Sequence, residues 1–317
     1  MIVLACDLGG TRIKVGVVRD GRVLAQTVEE ARSNLGLARQ LPMLKSAWMR
    51  LLERLQLRMG ECSGVSMAFP SLVDAANARV LAEYGKYADA MELDLREWAR
   101  VELGLPLVLE NDARMALVGE WRAGAGRGSN DLVMITLGTG LGTCAVIEGR
   151  LLRGRHGQAG ILGGHSTLNI DGGNCRCGNV GCAENEASTA MLRRRAESLP
   201  GWARSALAQA PVLDYAQVFA YASVGDTCAV ALRDHSLRVW SALAVNLVHA
   251  YDPEALIIGG GIMASGEVIL PVVSEYIRQH ASTPWGSVRV VASTLGDQAA
   301  LVAGDWLLQE QFPHLRL

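Results

Sequence analysis

Two segments of this chain repeat one pattern, in which an apolar run ends in a glycine-rich turn and a second apolar run follows. Short apolar runs bounded by turn signals predict buried strands. The glycines that end them let the backbone turn tightly and approach a ligand. Both segments then close with a hairpin signal, at Asp20-Gly21 and Glu148-Gly149. The pattern comprises the runs 2–6, 14–18, 131–137 and 143–147 and the turns 7–11 and 138–142. It predicts two α/β halves of one design that flank a cleft, although the direct sequence match between them is weak.

The other predicted strands and helices alternate along the 317 residues, which is typical of an α/β fold. Strands are predicted at 23–28, 64–69, 107–109, 255–258 and 288–292, and helices at 41–57, 113–123, 214–223, 228–251 and 298–309. Dense glycines over 123–129 predict a loop between domains. We therefore expect a small domain over 1–122 and a large domain over 123–297, with a C-terminal helix at 298–317 packing back on the first domain.

The charge balance disfavours nucleic acid and membrane surfaces as partners. Thirty basic and 32 acidic side chains give a net charge of −2, with no basic stripe that would follow phosphates. The sequence contains no run of about 18 apolar residues, so no membrane-spanning helix is predicted. The N-terminal residues lack a basic leader, and seven cysteines with three close together are typical of metal ligands in a reducing compartment. We expect a cytoplasmic protein.

The most specific local signal is a cluster of three cysteines, Cys175, Cys177 and Cys182, preceded by His165. Three thiolates and one imidazole complete a tetrahedral Zn²⁺ shell, and a site with four protein ligands is structural. A redox pair and chance clustering are the competing interpretations. The zinc loop, defined here as residues 165–184, ends at Glu184, which is a candidate substrate ligand or a solvated residue at a helix start.

The two glycine turns are candidate phosphate-binding loops. Asp7 ends the first predicted strand and suits a hydrated Mg²⁺, which prefers one or two carboxylates plus water and phosphates. The turn residues that would face phosphates are Gly9, Gly10 and Thr11 in the first turn and Gly138, Thr139 and Gly140 in the second. Neither turn is a Walker loop or a Rossmann fingerprint, because the required lysine and crossover helix are missing. An ordinary hairpin turn is the alternative for each.

Asn111 and Asp112 follow a short strand and precede a predicted helix. An aspartate there can accept the proton of a substrate hydroxyl that attacks phosphorus, while the asparagine hydrogen-bonds neighbouring hydroxyls. The alternative is an ordinary helix N-cap, for which both residue types are favoured. Three glycines, Gly259, Gly260 and Gly261, end another apolar strand and would let a flat nucleoside approach the backbone.

Taken together and in this order, these residues resemble the ROK family of sugar kinases and sugar-responsive repressors. The family's Cys-x-Cys-Gly-x-x-Gly-Cys-x-Glu motif is matched by Cys175, Cys177, Gly178, Gly181, Cys182 and Glu184. The resemblance runs from Asp7 to about Gly304 and implies a duplicated ribonuclease H-like fold, the fold of actin-like ATPases, with two domains flanking a cleft. It also implies ATP and Mg²⁺ as catalytic cofactors, a structural Zn²⁺ and a homodimer.

The resemblance implies a role for each matching residue. Asp112 matches the catalytic base, Asn111, His165 and Glu184 match sugar ligands, and His165 is also a zinc ligand. The two glycine turns with Asp7 match the phosphate and Mg²⁺ motifs, and the three glycines at 259–261 match the segment near adenosine. These roles predict an ATP-dependent kinase that phosphorylates a hexose or an N-acetylhexosamine at the 6-hydroxyl.

Three departures from the family pattern bear on the substrate. Leu162 stands at the spacing where the family has a sugar-binding glutamate, with an apparent extra residue before His165, and Ser71 stands where glycine is common. The stretch 83–87 differs from the loop typical of glucose-phosphorylating members. A sugar sensor without catalysis is therefore the alternative to a kinase. Only six residues precede Asp7, so we expect no DNA-binding domain of the repressor branch.

Overall fold

The computed structural model describes residues 1–82 and 84–315, and the chain divides into two compact units. The first unit contains Met1–Gly128, Arg153–Ala159 and the chain from Thr294 onward. The second contains Ser129–Leu152 and Gly160–Ser293. The segment 153–159, which the sequence analysis included in the large domain, thus lies in the first unit.

The first unit is built on a five-stranded sheet in the order β3-β2-β1-β4-β7. Its strands are β1 (Ile2–Leu8), β2 (Arg12–Arg19), β3 (Arg22–Glu30), β4 (Gly64–Phe69) and β7 (Leu107–Asn111), with a small hairpin of β5 (Val73–Asp74) and β6 (Arg79–Val80). Its helices are α1 (Leu41–Arg54), α2 (Leu95–Leu103), α3 (Asp112–Ala123), α9 (Ala299–Val302) and α10 (Gly304–Gln311). The first three strands are antiparallel, and β1, β4 and β7 are parallel.

The second unit repeats this topology, with the sheet order β10-β9-β8-β11-β12. Its strands are β8 (Leu132–Leu137), β9 (Leu141–Ile147), β10 (Arg150–Leu151), β11 (Ala255–Gly259) and β12 (Arg289–Ala292). Its helices are α4 (Ala183–Ala187), α5 (Thr189–Glu197), α6 (Tyr215–Ser223), α7 (Thr227–Tyr251) and α8 (Gly266–His280). An antiparallel meander of three strands again precedes two parallel strands, so the predicted duplication of one α/β design is confirmed.

Burial on both faces explains why the central strands read as continuous apolar runs. Residues 2–6 of β1 are buried, and Trp48 of α1 donates its indole N–H to the carbonyl of Ala5 at 3.1 Å. The hairpin after β2 turns at Asp20 and Gly21, with φ values of 50° and 72°. Positive φ at both central residues is the geometry that an Asp-Gly pair favours.

Several helices differ from the sequence expectation, among them α5, which was not predicted. The predicted C-terminal helix is two helices, α9 and α10, and both pack on the sheet of the first unit; residues 316–317 of the predicted helix lie outside the described residues. Helix α2 was missed although Asp94 caps its first turn and Gly104 ends it with φ 70°. Helix α8 was not predicted either; it contains Pro271, a residue that disfavours helix interiors, and its buried apolar face stabilises the helix through this position. No helix within residues 1–82 and 84–315 is both long and apolar enough to cross a bilayer.

Close packing between α3 and α9 provides a test of this fold. A Cβ on Gly119 would lie 2.0 Å from the carbonyl oxygen of Ala299, so no side chain fits there without a backbone shift. We expect Gly119→Ala to lower the free energy of unfolding by about 1–3 kcal/mol, because overpacking outweighs the gain in helix propensity. Urea unfolding measures the change. Gly60→Ala, where no atom lies within 4 Å of the added carbon, is the control, and equal effects of both variants would contradict the packing.

Candidate active site and metal-binding loop

The candidate base lies where β7 meets α3. Asn111 is the N-cap of α3, and its Oδ1 accepts a hydrogen bond from the Arg114 backbone at 3.2 Å. Its Nδ2 donates to the Ser71 carbonyl at 3.2 Å and to Asp112 Oδ1 at 3.1 Å. Asp112 Oδ1 also accepts a hydrogen bond from the Ala113 backbone N–H at 2.8 Å. The capping interpretation therefore holds for Asn111, and the cap holds the Asp112 carboxyl group in place.

The pKa of Asp112 is raised to about 6. Burial is the main cause of this rise, and the nearby charge of Asp7 adds to it. The Ala113 N–H and the Lys86 ammonium act in the opposite direction. A carboxyl group whose pKa lies close to neutrality can both take up and release a proton under ordinary conditions. Its environment suits a general base.

Asp7 faces a lysine that sequence analysis missed. The register of β1 and β2 pairs Asp7 with Lys14, whose ammonium lies 3.3 Å from Asp7 Oδ2 and 2.9 Å from Asp297 Oδ1. Burial raises the pKa of Asp7, and Lys14 opposes that rise. This pair could have been predicted from the sequence, because the position of the turn fixes the register of the hairpin and places Asp7 directly opposite Lys14.

The first glycine turn is held from two sides. A Cβ on Gly9 would lie 2.5 Å from the Arg12 carbonyl oxygen, so this position requires glycine. The Tyr87 hydroxyl donates to the Gly9 carbonyl at 2.7 Å, and the Ser33 hydroxyl donates to the Gly10 carbonyl at 2.9 Å. Thr11 is exposed at the end of the turn. The turn is thus preformed, with its threonine accessible.

The second glycine turn and the three glycines at 259–261 lie together in the second unit. Gly138 N donates to the Gly140 carbonyl at 3.0 Å, which closes the turn after β8. Gly260 adopts φ 94°, and a Cβ there would lie 2.3 Å from the carbonyl oxygen of Leu137, the last residue of β8. A Cβ on Gly261 would meet no atom within 4 Å. Two elements predicted to contact a nucleotide are therefore adjacent.

Glu184 lies against this second turn. Its Oε2 accepts the Leu141 backbone N–H at 2.9 Å, and a Cβ on Gly140 would lie 2.4 Å from the same oxygen. Glu184 belongs to α4, which begins directly after Cys182. This helix therefore connects the zinc loop to the second glycine turn. The structure thus places this predicted sugar ligand beside a predicted phosphate loop.

The four predicted zinc ligands converge. His165 Nδ1 lies 3.6 Å from Cys175 Sγ, Cys177 Sγ lies 3.7 Å from Cys182 Sγ, and one ligand atom from each residue lies within 4.8 Å of the others. Zn–S bonds of about 2.3 Å in a tetrahedron separate two sulfurs by roughly 3.8 Å. The donor set and its spacing therefore fit a single tetrahedral metal ion.

A buried ion pair behind the candidate base was also missed. Glu110 and Arg114 are almost fully buried and lie 3.3 Å apart, and Arg153 approaches Glu110 at 2.7 Å. The Arg114 guanidinium also donates to the carbonyls of Gly157 and Ala159, at 3.0 and 2.7 Å. The i, i+4 spacing of Glu110 and Arg114 was the available signal, but only the fold shows that both are buried.

The departures from the family pattern have different surroundings. Leu162 is 38% exposed and precedes a short 3₁₀ helix, Gly163–His165. Ser71 is buried, and its carbonyl receives the amide of Asn111. In the stretch 83–87, Glu83 lies outside the described residues, while Lys86 lies beside Gly10.

Burial of the Asp112 charge predicts a stability effect. Its pKa of about 6 exceeds the ordinary 3.8, so the stability that its proton contributes is complete below about pH 4 and is lost as pH rises through 6. We expect Asp112→Asn to raise the free energy of unfolding by about 1–3 kcal/mol at pH 7.5 and by far less at pH 4. Urea unfolding at both pH values measures this.

The exposed Asp234 provides the matched control, and Asp234→Asn should change stability by less than about 0.5 kcal/mol. An Asp112→Asn variant that is no more stable than the wild type at pH 7.5 would contradict the burial of an ionised carboxylate.

Comparison with known proteins adds relatives that match along nearly the full chain. The family model described as "ROK family" matches residues 3–311. A glucokinase from Thermotoga maritima is 30% identical over 97% of this chain and 97% of its own length. The DNA-binding transcriptional repressor Mlc from Escherichia coli is 24% identical over 90% of this chain and 71% of its own length.

Solved structures show the same fold. A ROK family glucokinase from Streptomyces griseus, solved in complex with glucose and AMPPNP, is 31% identical and superposes with a TM-score of 0.79, covering 96% of this chain and 99% of its own. The predicted actin-like ATPase fold is confirmed. The family model and these relatives show that the chain belongs to the ROK family.

Proposed function

We propose that this protein phosphorylates a hexose or an N-acetylhexosamine at the 6-hydroxyl, with Asp112 as the general base. The observation that carries the proposal is the half-buried Asp112 carboxyl group, which the Asn111 amide and the Ala113 N–H hold in place and whose pKa is about 6. Membership of the ROK family and the glucokinase relatives support the reaction class. On these grounds the chain is an ATP-dependent carbohydrate kinase.

The two oxygens of Asp112 have different environments. Oδ1 accepts hydrogen bonds from Ala113 and Asn111, which leaves Oδ2 for the substrate. In the proposed step, the sugar oxygen forms a bond to the γ-phosphorus, its proton passes to Oδ2, and the bond from phosphorus to the bridging oxygen of ATP breaks. Because phosphoryl transfer requires little covalent chemistry from the protein, positioning and charge stabilisation supply most of the catalysis.

Each glycine turn is a proposed phosphate-binding element of its own unit. The first turn, with Gly9, Gly10 and Thr11, presents backbone N–H groups and a hydroxyl to phosphates, and Asp7 would hold Mg²⁺, which neutralises phosphate charge when bound. In the second turn, Gly138, Thr139 and Gly140 would play the same part. The proposed nucleoside contact is the segment Gly259, Gly260 and Gly261, in which an added Cβ on Gly261 would meet no atom within 4 Å.

The proposed sugar ligands are Asn111 in the first unit and two residues of the zinc loop, His165 and Glu184, in the second unit. His165 directs Nδ1 toward the thiols, so Nε2 remains for a sugar hydroxyl. Leu162 supplies an apolar side chain where the family has a carboxylate, which favours a substrate with an apolar group or altered hydroxyls. Family membership supports a homodimer as the proposed assembly.

A sugar sensor that transfers no phosphoryl group is the second candidate. Leu162 in place of a sugar-binding glutamate and the similarity to the Mlc repressor favour it. The preformed first turn and the raised pKa of Asp112 favour the kinase, because a sensor gains nothing from a poised base.

ADP release with Mg·ATP across a panel of sugars tests the kinase. The panel contains glucose, mannose, fructose, allose, glucosamine, N-acetylglucosamine and N-acetylmannosamine. We expect sugar-dependent release that falls below about pH 6 as Asp112 takes up a proton, and Asp112→Asn should abolish turnover while calorimetry still detects sugar binding.

Turnover at the wild-type rate in Asp112→Asn would remove this residue from the role of base. Sugar binding by the wild type without ADP release from any sugar would favour the sensor.

Zinc in the cluster of His165 and three cysteines is tested by metal analysis. We expect about one equivalent of zinc per purified chain and its loss in Cys177→Ser, because three remaining ligands leave the tetrahedral shell incomplete. Since Cys182 precedes Glu184, the variant should also bind sugar more weakly. Cys228→Ala, at a cysteine outside the cluster, should keep its zinc. Absence of zinc from a folded wild type with normal sugar affinity would refute the site.

A further inference from the structure

Lysine is rare in this chain, and its positions are informative. Of the 30 basic residues, 27 are arginine and three are lysine: Lys14, Lys45 and Lys86. Lys45 lies on α1 and pairs with Glu102. The other two are both at the first glycine turn: Lys14 contacts Asp7, and Lys86 covers Gly10.

The side chain of Lys86 lies directly over the turn. A Cβ on Gly10 would be 2.8 Å from Lys86 Cε and 3.4 Å from its Nζ. Lys86 is half-buried, and among residues 1–82 and 84–315 it forms no ion pair, in contrast to Lys14 and Lys45. Its ammonium therefore borders the proposed phosphate loop without an ion pair to a described carboxylate.

The backbone around Lys86 is held firmly. The next residue, Tyr87, is fully buried, donates its hydroxyl to Gly9 and donates its backbone N–H to the Ser33 carbonyl at 2.9 Å. Two residues later, the Asp89 carboxylate accepts the backbone N–H groups of Leu37 and Ala38. These contacts tie the segment that carries Lys86 to the glycine turn.

Tyr87 also adopts an uncommon backbone conformation, with φ 55°. A bulky residue rarely occupies the left-handed region, and such strain persists only where the surroundings impose it, often at functional sites. Here the strained residue comes directly after Lys86, at the point where the chain contacts the turn.

We infer that Lys86 is a further catalytic residue, whose ammonium binds the transferring phosphoryl group. The inference rests on the proposed kinase function. As the sugar oxygen bonds to the γ-phosphorus and the bond to the leaving ADP oxygen breaks, negative charge is distributed over the phosphoryl oxygens and the bridging oxygen. A lysine near these oxygens stabilises that charge while Asp112 takes the proton. The ammonium itself neither gains nor loses a proton in this step.

The choice of lysine fits this role. A compact ammonium on a flexible stem acts as a mobile point charge toward phosphate, whereas the planar guanidinium of arginine suits fixed bidentate pairs. The ammonium also lowers the pKa of Asp112, which faces Asp7 as its other charged neighbour. One side chain would thus act on both the phosphoryl group and the base.

Steady-state kinetics of Lys86→Met test the inference, with Lys86→Arg as the conservative variant and Lys45→Met as the matched control. We expect kcat to fall about 10²-fold in Lys86→Met with the KM for sugar little changed, since the lost interaction belongs to the transition state. Lys86→Arg should recover part of the rate, and Lys45→Met should match the wild type. An unchanged kcat with a raised KM for sugar would overturn the inference.

The pH profile provides a readout that loss of packing alone would not move. Without the ammonium, the pKa of Asp112 rises, so the acidic limb of kcat/KM should shift to higher pH in Lys86→Met. A limb at the wild-type position together with a reduced kcat would assign Lys86 a structural role and overturn the inference.

Failure of the proposed function is distinguishable from failure of this inference. If the wild type turns over no sugar, calorimetry with MgADP and aluminium fluoride, which mimics the transferring phosphoryl group, compares it with Lys86→Met. Tighter binding to the wild type supports Lys86 at the phosphoryl position. Equal binding to both proteins overturns the inference, whatever the fate of the kinase.

Discussion

Helix α3 is the constraint on which the first unit depends, because both of its ends and its middle are fixed by buried contacts. Its first residue is Asp112, with the Glu110–Arg114 pair behind it. Its middle, at Gly119, packs on the backbone of α9. Near its end, the buried Glu120 carboxylate accepts the backbone N–H groups of Ala125 and Leu295. A helix held along its length fixes the position of the candidate base, Asp112.

The Glu110–Arg114 pair illustrates how buried charge serves position rather than stability. Two charges lose hydration when they are buried, and a good pair often does little more than compensate for that loss. The pair nevertheless orders the chain, because the Arg114 guanidinium donates to Gly157 and Ala159, in the segment that precedes the zinc loop. At Asp112, burial of the carboxyl group lowers the stability of the fold but gives the group a pKa suited to proton transfer.

Local patterns predicted much of this protein. The strand that ends at Cys6, the turn at Gly9 and Gly10 and the hairpin at Asp20 follow from runs of apolar residues and from glycine chemistry, and each is present. Residue type and spacing alone predicted the cluster of His165 and three cysteines, whose ligand atoms converge in the structure. These features are local, so a few neighbouring residues determine them.

Two of the features that sequence reasoning missed depend on contacts between distant residues. Lys86 lies 76 positions after Gly10 in the sequence, yet it covers this residue of the first glycine turn, and no local pattern indicates that. Helix α8 forms through Pro271 because its apolar face is buried, which outweighs the local break signal. The sequence by itself determined the repeated α/β design and indicated the predicted metal ligands and the candidate base. The tertiary structure decided which charges surround Asp112, because burial and long-range pairing set its pKa.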